Sequence, residues 1–81
     1  MKKKKAEEDK QWWTFTFGNG QRYAGKCVKI WGTSDSARAK MIDIYGLDWG
    51  FQYSEDEWQK WSDIAKIKGY EMETEMKRFE A

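Results

Sequence analysis

The stretch "TFTFGNGQRYAGK", residues 14–26, sets three glycines behind a run of alternating threonine and phenylalanine. It is either a phosphate-cradling loop or the turn of a β-hairpin, and the two readings lead to different proteins. A dinucleotide fingerprint needs G-x-G-x-x-G between a strand and a helix, so that the phosphate meets the helix N-terminus. Here the glycines fall at Gly18, Gly20 and Gly25, and the next segment, "KCVKIW", alternates as a second strand. The P-loop pattern fails as well, because Lys26 is followed by Cys27 rather than by Ser or Thr and no helix starts there. The hairpin reading is the one the residues favour.

Working outward, "WWTFTF" has period two, with Trp13, Phe15 and Phe17 on one face and Trp12, Thr14 and Thr16 on the other. Symmetric pairing about the turn sets Phe17 against Lys26, Phe15 against Val28 and Trp13 against Ile30, which gathers one apolar face. The opposite face then carries Trp12 against Trp31, Thr14 against Lys29 and Thr16 against Cys27. A slip by one residue would put threonine into the core, so the register is well determined.

Beyond the hairpin, Thr33, Ser34 and Asp35 open a helix that carries Ala37, Met41, Ile44 and Tyr45 at helical spacing and closes on Gly46. "LDWGFQY" returns to period two, with Trp49, Phe51 and Tyr53 expected in line. Ser54 and Glu57 form a capping-box pattern ahead of Trp58, Trp61 and Ala65, one stripe of a second helix ending at Gly69. That stripe is expected to face the sheet. Residues 70–79 suit a strand or a helix; the break at Gly69 and the strict alternation of Glu favour the strand. The expected fold is α+β, a small, mostly antiparallel sheet in the order β-β-α-β-α-β with two helices on one face. The uncharged "WWTFTF" belongs in the middle of the sheet, where it is not an open edge, and the charged "KCVKIW" and "YEMETE" belong at its margins.

The chain of 81 residues reads as a disordered, charged leader over 1–10 and one domain over 11–81. A domain this small buries only about two-thirds of its unfolded surface. Six Trp, four Tyr and four Phe offset that, since each buried aromatic removes roughly 150–250 Å² from water. A lone Cys27 closes no intrachain bridge and points to a reducing, cytoplasmic setting. Glu7, Glu8 and Asp9 interrupt the basic start, which is unlike a signal peptide, and no apolar run reaches the roughly 20 residues of a membrane span. No membrane partner is expected.

With no histidine and a single cysteine, the usual general base and the usual zinc ligands are missing, so neither a catalytic residue nor a cofactor is expected. Asp43, Asp48, Asp56 and Glu57 read as surface and first-turn acids rather than a hard-cation site. The candidate binding residues are Trp12, Trp31, Tyr23, Arg22 and Lys29, aromatic and basic side chains of the hairpin outside its apolar face. From Arg22 to Lys40 there are five bases and one acid, which keeps single-stranded nucleic acid in view as a second class of partner. The net charge of +1 ranks it below a protein, because each phosphate contact needs its own cation. A homodimer through Trp12 and Trp31 is a further expectation.

The segments "FTFG", "GKCVKI", "ARAKMIDIYG" and "WGFQYSEDEW", in that order between Trp13 and Trp61, resemble a group of short phage- and prophage-encoded proteins. Their shared features are an F-T-F-G hairpin, a helix ending in Y-G, and a W-x-F-Q-Y strand before an acidic, Trp-containing helix. The resemblance implies a non-enzymatic accessory protein acting in a bacterial host cell. Such proteins commonly occupy a surface of a host protein, defence nucleases such as CRISPR effectors included. A DNA-mimicking inhibitor would be strongly acidic, so blockade through the aromatic patch is the mode implied. A structural role in the virion is the remaining alternative.

Deletion of residues 1–10 is expected to shift the melting temperature little, because the segment has no apolar anchor. A large drop in a thermal melt would show that it docks on the domain.

Overall fold

The structure, a computed structural model, describes residues 10–81. Apart from Lys10, the leader reading lies outside the described residues. The elements are β1 (Gln11–Thr16), β2 (Lys26–Gly32), α1 (Ser34–Tyr45), β3 (Phe51–Tyr53), α2 (Glu55–Lys68) and β4 (Thr74–Glu80). This is the α+β order read from the sequence.

β1 and β2 pair antiparallel in the expected register, with Trp13 opposite Ile30, Phe15 opposite Val28 and Trp12 opposite Trp31. The connection between them is a series of turns: Gly20 and Gly25 have φ of 89° and 85°, a region that only glycine enters freely. The Gly18 N–H is taken by the Gln21 side chain, so it does not point outward as a phosphate donor would.

The sheet is mixed, in the order β3-β1-β2-β4. β1 lies between β2 and β3, antiparallel to both, and so the uncharged strand is paired along its whole length on one edge and over Thr14–Thr16 on the other. β4 runs parallel to β2, which makes "KCVKIW" an inner strand rather than the margin expected for it. The strand read into the tail begins at Thr74, and Tyr70–Glu73 leads up to it from α2. Both helices are capped as the sequence indicated. The Thr33 and Ser54 hydroxyls accept from the backbone N–H groups of Ser36 and Glu57. At the other ends Gly46 and Gly69 donate to Ile42 and Ala65.

The two helices occupy opposite faces, a correction to the one-face arrangement. β2, β3 and β4 are mutually parallel, and the crossover from β2 through α1 to β3 travels one way across the sheet while that from β3 through α2 to β4 travels back. Right-handed crossovers in opposite directions require a helix on each side. Packing agrees. Ala37 and Met41 of α1 join Phe15, Phe17, Val28 and Ile30 in the main core. On the other face Thr14, Thr16 and Cys27 are buried, and Trp58 of α2 lies against Lys29. The threonines therefore form a second packed layer, where the alternation had suggested an open face. Trp49 also departs from the expected line: it packs perpendicular to Phe15 on the α1 side, while Phe51 and Tyr53 pair with Thr16 and Thr14.

In β4 the register shifts so that Cys27 faces Glu75 and Val28 faces Lys77, leaving Met76 as a bulge. The extra residue brings Glu75 and Arg78 onto the same face, where they form an ion pair.

Ala65 is fully buried beneath α2, whereas Ile67 is 83% exposed. Ala65→Leu is expected to cost about 1–3 kcal/mol by overpacking, and Ile67→Ala to stay within about 0.5 kcal/mol. Urea unfolding of both variants checks the placement of α2, since a helix standing off the sheet would make both changes neutral.

Candidate interaction surface

Cross-strand pairing brings Trp12 and Trp31 together on the α2 side of the sheet, their rings edge to face with centroids 5.6 Å apart. Trp12 is half-buried, and Trp31 keeps 37% of its surface exposed. The guanidinium of Arg78 lies 4.9 Å from the Trp12 centroid, within cation–π range. Arg78 is oriented by Glu75, which accepts from both its Nε and its Nη2. Those hydrogen bonds also hold the Glu75 carboxyl below the usual carboxylate range. The shelf is thus a tryptophan pair with an arginine laid on it, and the arginine is fixed in place by a bulge in the neighbouring strand.

Lys29 lies further under α2. Its Nζ donates to Thr14 Oγ1 at 2.9 Å and stands 5.4 Å from the centroid of Trp58, which in turn packs on Tyr53. Burial lowers the Lys29 pKa. The side chain supports the shelf from within, and Trp58 is half-buried over it rather than sunk in the main core.

Tyr23 and Arg22 are elsewhere. The Tyr23 ring packs against Phe17 and Tyr45 on the α1 side, with centroids 5.3 and 5.7 Å away. The Arg22 guanidinium lies 5.9 Å from the Tyr23 ring, and the Arg22 backbone N–H donates to Asp48 at 2.9 Å. With Ile44 and Tyr45 these residues line an open recess of 540 Å³. The five candidate residues therefore separate into Trp12, Trp31 and Lys29 on one face and Arg22 and Tyr23 on the other. Arg78 is the member that sequence reading missed. Its approach depends on β4 docking parallel to β2, and no local pattern announces that.

The acids considered for a cation are committed elsewhere or apart: Asp48 accepts from Arg22, and Glu57 caps the Ser54 N–H. Among the described residues no group of three or more His, Cys, Asp or Glu is placed to hold a metal. Among them, too, no helix is long and apolar enough to cross a membrane. The chain matches no protein-family model, no curated protein and no solved structure.

Cys27 is 1% exposed, and burial pushes its thiol from the ordinary 9.0 up to about 11. The raised value means that the native state holds the thiol proton more tightly than the unfolded chain. Its contribution to stability is accordingly complete below about pH 9 and is lost as pH rises toward about 11. Native protein is expected to resist a thiol reagent at pH 8 and to react at once in denaturant. Rapid reaction without denaturant would place Cys27 at the surface.

Proposed function

We propose that the chain is a non-enzymatic binding protein whose working surface is the Trp12–Trp31–Arg78 shelf and whose partner is another protein. The observation that carries this reading is the exposed Trp31 beside a Trp12 already capped by an oriented arginine. Tryptophan and arginine dominate the energetically decisive positions of protein interfaces. An arginine held beforehand by Glu75 also loses less freedom on binding.

Charge supports a protein over nucleic acid as the partner. Arg78 is matched by Glu75, and Lys29 is turned inward onto Thr14 and Trp58. A groove that tracks phosphates needs cations that are free to replace counterions. The resemblance to phage-encoded accessory proteins supports a finer reading, in which the partner is a host protein in the bacterial cytoplasm, such as a defence effector, and the shelf blocks it.

Affinity capture from bacterial lysate, repeated with Trp31→Ala, tests the reading. The variant is expected to keep its melting temperature and to bind the captured protein about 30-fold more weakly, the cost of losing one central anchor. Retention of affinity in Trp31→Ala would discard this surface. A steep loss of binding with salt would transfer the reading to nucleic acid.

A further inference from the structure

The two layers of the domain differ in what they bury. On the α1 side Phe15, Phe17, Val28, Ile30, Ala37 and Met41 form an apolar core. On the α2 side the buried side chains are small, and half of them carry hydroxyls: Thr14, Thr16, Cys27 and Ala65. Of the larger α2 side chains Trp58 and Trp61 are half-buried, while Ile64 and Ile67 are 44% and 83% exposed. A layer of this composition holds its helix less firmly than an apolar one of equal area. It also contains a misfit. Glu73 Oε1 is shielded from solvent and has no hydrogen-bond partner among the described residues. Burial first and the Glu73 charge second push the Tyr53 hydroxyl above its ordinary value, which sets Glu73 near Tyr53 in the α2 layer. A buried acceptor left unpaired works against the closed arrangement, most of all a carboxylate oxygen.

We infer that α2 is a lid, which lifts from the sheet as a local unit while β1, β2, β4 and α1 stay folded, and so uncovers Thr14, Thr16, Cys27 and Lys29. The tether at its C-terminal end allows this. After Gly69 the residues Tyr70–Glu73 belong to neither helix nor strand, and the first backbone bond back to the sheet runs from the Thr74 N–H to the Gly25 carbonyl. Glu73 is the last residue of that tether, so its unpaired oxygen acts where the lid hinges. The grip at the other end is light. The Gln11 side chain accepts from the Glu55 N–H, and β3, which leads into α2, is a strand of 3 residues. What closes the layer between them is the Lys29 bond to Thr14 and the Trp58 ring over Lys29. Lifting removes the ring and returns the Lys29 ammonium to water, which offsets part of the lost contact. The other layer is untouched, since no residue of its apolar core comes from α2. A detached helix of 14 residues is marginal in water, so the open lid loses its helical hydrogen bonds as well. The uncovered face runs on from Trp12 and Trp31, so opening widens the exposed surface beside the shelf. Opening needs no partner and is independent of what the shelf binds.

Alkylation of Cys27, the single thiol of the chain, by iodoacetamide across a series of low urea concentrations reads the opening. Native protein is expected to label slowly, yet at least about 10-fold faster than its global unfolding equilibrium allows. The urea dependence should fall well below the global one, because lifting one helix exposes far less surface than unfolding the domain. Glu73→Met removes the unpaired oxygen at similar volume and should slow labelling about 10-fold. Trp58→Ala, which takes away the cover over Lys29, should quicken it about 10-fold. Ile30→Val, in the apolar core of the other face, should lower global stability and leave the labelling rate unchanged. Amide exchange should likewise be faster in α2 than in β1 and β2. Labelling that carries the full urea dependence of global unfolding from the lowest concentration overturns the inference. So does labelling that Ile30→Val quickens as much as it destabilises the domain, or that Glu73→Met fails to slow. Should Glu73→Met lose its native circular dichroism, the wild-type urea dependence and the Ile30→Val rate decide.

Discussion

The structure depends on one strand being packed on both faces and along both edges. Thr14 and Phe15 are neighbours in β1 whose side chains point to opposite sides, and both are completely buried. A strand in that position needs a neighbour on each side and a helix above and below, and the rest of the chain supplies them. The Phe15 side receives Ala37 and Met41 of α1, with Trp49 at its rim. The Thr14 side cannot be filled by apolar groups alone, because a buried hydroxyl is costly without a hydrogen bond. Lys29 supplies that bond, and the charge it brings under α2 is met by the face of Trp58. One threonine thus fixes the conformation of a lysine and the footing of a helix.

The second layer also explains where the proposed binding surface falls. Trp12 and Trp31 share a face with Thr14 and Lys29, but Trp31 stays partly open, so they form the rim of this layer. At that rim β4 supplies Arg78. Without the bulge at Met76, Glu75 and Arg78 would alternate to opposite faces and could not pair. The irregularity that blunts the outer edge therefore also orients the arginine over Trp12. Edge protection and surface construction come from the same residue.

What the sequence disclosed, and what it concealed, reflects the range of the forces involved. The hairpin register was legible because a one-residue slip would invert every side chain from Trp12 to Phe17. The caps at Thr33, Gly46, Ser54 and Gly69 were legible because capping is settled within a few residues. The side of the sheet taken by each helix was not, since it depends on strand order. Strand order in turn depends on β4 pairing with β2 across more than forty residues of chain. Threonine added to the error: its alternation with phenylalanine reads as an open face, yet its small side chain admits a second layer. Within the site, Trp12 and Trp31 came directly from the register. Tyr23 was misplaced because the chain from Gly18 to Gly25 turns repeatedly, so its place in the hairpin connection does not fix the face its ring takes.

The chemically capable side chains of the second layer bear on the functional reading. A nucleophile needs its reactive form and a path to it. The Cys27 thiol has neither, being buried and held in the neutral form by that burial. Burial moves Lys29 toward its neutral, more nucleophilic form, but its Nζ is bonded to Thr14 and covered by the Trp58 ring. Both groups are used in joining α2 to the sheet, so recruiting either for covalent chemistry would open the layer that holds the helix. The side chains left toward solvent on this face, Trp31 and Arg78, contribute contact area, a cation and hydrogen-bond donors. Such groups bind without reacting, and this distribution of chemistry between layer and rim is the physical ground for reading the face as an interface.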